Sequence, residues 1–184
     1  GIIGNGIQAR MQLEYLSEVV DCKDVFVLGR DEDRVRKYID EMEKYGYNIT
    51  SVNNSKELCQ NSNLIVTTTN ANESLIYKGD VKKGTHITAV GSDTPDKREL
   101  DPEILNIANS VIVDSISQCL ERGETKKALD KELISEEKLI ELGEIIDSGK
   151  KYRKDDSEIT VADLTGVAVQ DIMITNAVYN QLKT

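Results

Sequence analysis

Short apolar runs alternate along the whole chain with stretches of helical periodicity. Val25-Phe26-Val27-Leu28, Ile49 to Val52, Leu64-Ile65-Val66, Ile87 to Val90, Val111-Ile112-Val113 and Ile159 to Ala162 are short and rich in β-branched residues, which predicts buried strands. Between them, Met11, Tyr15, Leu16, Val19 and Val20 recur at helical spacing, as do Val35, Tyr38, Ile39, Met42 and Tyr45, a run stopped by Gly46. Ser55 is placed to cap a brief helix carrying Leu58. Charged helical stretches follow from Ser117 to Ile146, and Gly166 to Leu182 reads as an amphipathic last helix. Strands alternating with helices predict βαβ units and a mostly parallel sheet with helices on both faces.

The connections refine this outline. Both prolines, Pro95 and Pro102, fall after the strand ending at Val90, which predicts a shaped loop rather than a helix there. Gly149 to Asp156 is a polar, Lys-rich turn. Only Ile2 and Ile3 precede the first glycine turn as apolar strand residues, so the first strand is expected to be short and the chain to be part of a longer polypeptide.

Composition narrows the partners. The 184 residues carry 33 acidic against 23 basic side chains, a net charge of −10, which argues against a phosphate-backbone partner and hence against nucleic acid. Cys22, Cys59 and Cys119 are odd in number and widely separated, as expected of reduced thiols, and a single histidine offers no metal-ligand spacing. With no membrane-length apolar run and no leader pattern, the expectation is a cytoplasmic protein with no membrane partner.

The chemistry begins at Gly4-Asn5-Gly6-Ile7-Gln8-Ala9, a G-x-G-x-x-A turn between strand and helix. The first glycine makes the turn, the second lets backbone approach a pyrophosphate, and the small third residue lets helix pack on strand. The helix N-terminus then offers free N–H groups to phosphate. In its strand–turn–helix context this predicts a Rossmann-type doubly wound α/β domain binding NAD or NADP. At the end of the second strand, Arg30 favours a 2′-phosphate and NADP, whereas the adjacent Asp31 is the type that holds a ribose 2′-OH. Farther on, Gly91-Ser92-Asp93-Thr94-Pro95-Asp96-Lys97 lies at a strand's carboxyl end, where ligands of such sheets sit. Local pattern leaves Asp93 two roles, general acid–base or turn former.

Three segments carry a resemblance to a known family: Gly1 to Arg10, Thr88 to Asp101 (TAVGSDTPDKRELD) and Thr160 to Asp171 (TVADLTGVAVQD). They resemble the ornithine cyclodeaminase/mu-crystallin family, in the family's order and across the whole chain. The resemblance implies that residues 1–163 are the NAD(P)-binding domain and that 164–184 form a helix packing on a separate substrate and dimerisation domain. It implies that Asp93 occupies the position of the catalytic aspartate of cyclodeaminases and related alanine dehydrogenases, where mu-crystallin-like binding proteins lack an acid. It further implies cofactor contacts at Gly4, Asn5, Gly6, Ile7, Gln8, Thr68, the strand Ile87-Thr88-Ala89-Val90, Lys97, and the pair Leu164 and Thr165. Cyclodeaminases carry Ser where this chain has Leu164, a departure that bears on the substrate. The implied activity is hydride transfer and deamination on a small amino acid. The alternatives are an amino-acid dehydrogenase or cyclic imino-acid reductase, and a non-catalytic NADP-binding protein. A homodimer is implied for the full-length form.

Other residues are read as scaffold: His86 as a strand-opening packing residue, Met11, Met42 and Met173 as core fillers. Glu121, Glu124, Glu132, Glu136, Glu137, Glu141 and Glu144 are read as a solvated helical face.

Overall fold

A computed structural model describes residues 1–183. Its strands are β1 (Ile2–Ile3), β2 (Asp24–Leu28), β3 (Asn48–Ser51), β4 (Leu64–Thr67), β5 (His86–Ala89), β6 (Ser110–Val113), β7 (Leu139–Glu141) and β8 (Thr160–Asp163). The helices are α1 (Ile7–Leu16), α2 (Glu32–Met42), α3 (Ser55–Asn61), α4 (Pro102–Ile107), α5 (Ile116–Cys119), α6 (Gly123–Asp130), α7 (Leu142–Ser148) and α8 (Ala168–Leu182). All eight strands pair in parallel, in the order β3-β2-β1-β4-β5-β8-β6-β7. This is a Rossmann-type α/β fold.

Strand alternation divides the core between the two sheet faces. Ile2, Val25, Val27 and Val66 point to one face and pack with Ala9 and Leu13 of α1 and Val35, Tyr38 and Met42 of α2. Ile3, Ile65, Ile87, Ala89, Val111, Val113 and Val161 point to the other, under Leu58 and Cys59 of α3, Ile104 and Leu105 of α4 and Ala128 of α6. The order in which strands are added reverses between β1 and β4 while all strands stay parallel, and ligands of such sheets sit beyond the carboxyl ends at this switch point.

Several local expectations are corrected. Pro102 opens a helix: Asp101 caps α4 by accepting from Glu103 N–H at 3.2 Å, and a proline at the first helical position sacrifices no internal hydrogen bond. The charged stretch after Ser117 is interrupted by β7, three residues that pair with β6. Asn54, one residue before Ser55, caps α3. The first helix stops at Leu16, leaving Val19 79% exposed, and Tyr45 lies in a 3-10 turn after α2. Met42 is buried as expected, but Met11 and Met173 are exposed.

The last helix is not amphipathic. At 100° per residue, Val169, Ile172, Met173, Ile174, Val178, Tyr179 and Leu182 are distributed all round its axis. None of its residues is buried. Among the described residues no helix is long and apolar enough to cross a membrane.

Candidate functional site

The carboxyl ends of the strands stand level along one edge of the sheet. Leu28 pairs with Ile3, Ile3 with Thr67, Thr67 with Ala89, and Ala89 with Asp163. The glycine turn, Arg30 and Asp31, Thr68, the Asp93 loop and the Leu164–Thr165 pair all leave the sheet along this line. The two segments farthest apart in sequence, Gly4–Gly6 and Leu164–Thr165, are thereby brought to one rim.

In the glycine turn, Gly4 has φ +106° and the Cβ of any other residue would lie 2.6 Å from Thr68 Oγ1. Thr68 is therefore packed over the turn, its hydroxyl donating to Ile3 O at 3.3 Å. Gly6 differs: a Cβ there would meet nothing within 4 Å. It precedes α1 without a side-chain cap, so the N–H groups of the first turn, at Ile7 and Gln8, face open space. Ala9 is fully buried where α1 crosses the sheet. Arg10 ties the turn down, donating to Asn5 O at 2.6 Å and to Glu41 at 2.5 Å. The Asn5 side-chain amide nitrogen is buried without a partner. An open glycine, an uncapped helix start and an orphaned buried donor form a cradle that fits an anionic dinucleotide.

At the end of β2, Arg30 is exposed, whereas Asp31 is committed as the N-cap of α2 and accepts from Arg34 N–H at 3.0 Å. Strand β5 turns Ile87 and Ala89 into the core, so only their backbone and the partly exposed Thr88 and Val90 line the rim. Thr88 Oγ1 bonds His86 at 3.1 Å, and His86 bonds Thr160 at 2.7 Å. Burial lowers the His86 pKa from the usual imidazole range, with the Arg153 charge adding to it. His86 is thus a half-buried packing group. Leu164 N–H donates to Ala89 O at 2.9 Å. Thr165 is 6% exposed, its hydroxyl donating to Asp114 at 3.1 Å.

Asp93 is exposed and forms an ion pair with Lys97 at 2.5 Å. Its loop stands on two buried carboxylates that sequence pattern did not single out. Glu99, 0% exposed, accepts from Thr67 Oγ1 at 2.7 Å, Thr69 N–H at 2.6 Å and Gly91 N–H at 3.0 Å. Glu124, 1% exposed, accepts from Ser92 Oγ, from Glu99 N–H at 2.7 Å and from Leu100 N–H at 3.0 Å. Glu124 therefore leaves the solvated face expected for it. Burial, with the Asp163 charge beyond, pushes its pKa up to about 8. Asp163, fully buried at the end of β8, accepts from Thr125 N–H at 2.7 Å and is pushed up by burial to about 6. The signal in the sequence was weak: Gly123 has φ +85°, and a Cβ there would sit 2.7 Å from Asp163, so the glycine before Glu124 marks a close approach.

The fold, the level rim and the open glycine turn define a dinucleotide-binding α/β domain. A family model of the ornithine cyclodeaminase/mu-crystallin family matches residues 1–184, and the chain belongs to that family. It is 37% identical over 180 residues to an alanine dehydrogenase of Archaeoglobus fulgidus, covering 97% of this chain and 55% of that protein. Among solved structures, an archaeal alanine dehydrogenase dimer with bound NAD superposes with a TM-score of 0.91 at 36% identity, covering 98% of this chain and 56% of that one. The Thermococcus litoralis Δ1-pyrroline-2-carboxylate reductase in complex with NADH and L-proline gives 0.91 at 31% identity, with the same coverage. The chain thus spans about half the length of the relatives it matches.

Proposed function

We propose that this chain is the dinucleotide-binding half of an enzyme that moves a hydride between NAD(P) and the α-carbon of a small amino or imino acid. The observation that carries the reading is the placement of Asp93 and Lys97 just beyond β5, two strands from the open glycine turn at β1. Strands in a parallel sheet lie about 4.8 Å apart, so a ligand extended along the rim reaches both. Gly6 and the first turn of α1 hold the pyrophosphate, with Asn5 donating from its buried amide and Thr68 flanking the turn. Lys97 orients Asp93. When bound, the nicotinamide supplies the hydride acceptor or donor. As hydride leaves the substrate Cα, Asp93 accepts the proton leaving its nitrogen, giving a C=N bond; reduction returns both. Residues 164–184 carry the chain toward a substrate-binding and dimerising domain, which covers the apolar surface of α8.

A dehydrogenase or reductase is favoured over a cyclodeaminase, because identity is 37% to an alanine dehydrogenase and 34% to a pyrroline-2-carboxylate reductase, against 32% to an uncharacterized cyclodeaminase. Leu164, where cyclodeaminases carry Ser, points the same way. The Asp93 carboxylate favours an enzyme over a non-catalytic binding protein.

The test has two arms. Titrating this chain with NADH and NADPH, by nicotinamide fluorescence, is expected to show micromolar binding. Arg30, exposed where Asp31 is spent as a cap, is the group that accepts a 2′-phosphate, so Arg30→Ala should weaken NADPH about tenfold and NADH less than twofold, the loss of one charge-assisted hydrogen bond. Equal effects on both would remove Arg30 from cofactor selection. In the second arm, the longer polypeptide carrying this chain is assayed with alanine, proline and ornithine. Net NAD(P)H release from an amino acid supports a dehydrogenase. Ornithine deamination without net reduction of the cofactor overturns it in favour of a cyclodeaminase.

A further inference from the structure

Glu124 bonds neither the glycine turn nor Asp93, yet its one carboxylate closes the loop that carries Asp93. Oε1 accepts from Ser92 Oγ and Glu99 N–H, and Oε2 accepts from Leu100 N–H. Ser92 and Glu99–Leu100 are the two feet of the loop; Asp93 to Asp96 between them are exposed. Glu99 in turn bolts the same feet to the end of β4, through Thr67, Thr69 and Gly91. The space at this joint is full: a Cβ on Gly91 would lie 2.2 Å from Thr69 O and 2.5 Å from the Glu99 carboxylate.

Two fully buried carboxylates are an expensive way to join a loop to a sheet, since burying charge opposes folding and well-packed apolar residues often serve stability as well. What apolar residues cannot do is hold three polar donors at fixed positions. Every donor to Glu124 belongs to the loop or its foot, and none to a neighbouring core element. Glu124 is itself anchored through α6, where Asp163 accepts from Thr125 N–H and Gly123 lets the two approach.

We infer that Glu124 is a positioning residue for proton transfer, closing the loop at Ser92 and Leu100 so that the Asp93–Lys97 pair is held at the rim. The inference rests on the role proposed above for Asp93. In this arrangement Ser92 is the lever: among the described residues it is the only side chain that hydrogen-bonds the Glu124 carboxylate, and it immediately precedes Asp93.

The test uses the longer polypeptide, comparing Glu124→Gln and Ser92→Ala with the parent; Ser92→Ala removes one bond and spares the fold should Glu124→Gln not accumulate. Both variants are expected to lower kcat at least tenfold with the dinucleotide KM within twofold. Amide hydrogen exchange at Asp93, Thr94, Asp96 and Lys97 should accelerate at least tenfold, with β4 and β5 unchanged. Unchanged loop exchange in both variants overturns the inference. So does accelerated exchange with unaltered kcat, which would make the clamp purely structural. Asp93→Asn is run beside them: full turnover there would refute the proton-transfer role itself, a failure separate from that of the clamp.

Discussion

Gly4 and Gly6 belong to one turn but are glycine for different reasons, and substitution separates them. Gly4 combines φ +106° with a Cβ position 3.2 Å from the Thr68 carbonyl, so Gly4→Ala is strained in backbone and in space and should cost about 1–3 kcal/mol in urea unfolding. Gly6 has φ −84° and ψ −166°, which alanine adopts freely, and open space beside it. Gly6→Ala should therefore leave stability within about 0.5 kcal/mol while weakening dinucleotide binding about tenfold, because the methyl occupies the approach to the phosphates. Destabilisation by Gly6→Ala, or unaltered affinity, would contradict the assignment. The turn was legible because its constraint is local: three small residues at fixed spacing. Glu124 was not. A glutamate among lysines and other glutamates on a helical stretch has the pattern of a solvated face, and its burial against Ser92, Glu99 and Leu100 is a tertiary contact distant in sequence.

At the scale of elements, α6 meets β8 at its first turn, and this joint has a pH dependence of definite sign. Glu124 releases its proton near pH 4.5 when unfolded but near pH 8 when folded. Between those values the folded state binds the extra proton, so stability is full below the unfolded pKa and falls as pH rises toward 8. Asp163 adds the same sign between its ordinary value of 3.8 and about 6. The midpoint of urea unfolding should therefore drop from pH 6 to pH 8, with a limiting slope on the order of 1 kcal/mol per pH unit for one proton. Glu124→Gln should flatten that slope; parallel slopes in the two proteins would show that Glu124 is ionised throughout. Element order was readable where apolar runs were long enough to stand out. Strand β7 was not, because Leu139-Ile140-Glu141 is three residues inside an acidic stretch, and pairing with β6 rather than local preference makes it a strand. The placement of β8 between β5 and β6 is a non-sequential crossover that no local pattern encodes.

At the scale of the whole molecule, both faces of the sheet are packed by helices, whereas no residue of α8 is buried. A helix apolar on every side belongs inside a larger core, and here Ile172, Met173, Ile174, Val178, Tyr179 and Leu182 all lie in solvent. The sequence showed the apolar content of this helix but suggested one apolar face; the actual spread means that cover must come from more than one direction. Taken by itself, the chain should bury this surface against further copies, so its sedimentation coefficient should rise with concentration. Ile174 and Val178 share one side of the helix, and neither is buried within the chain. Replacing both by Lys should hold the chain monomeric and leave Tm within about 2 °C, since no packed side chain is lost. Undiminished association of the double variant would move the sticky surface elsewhere and leave α8 without a demonstrated partner-facing role. Suppressed association, with dinucleotide binding intact, would separate the two surfaces: the rim for the cofactor, and α8 for the domain proposed to complete the enzyme.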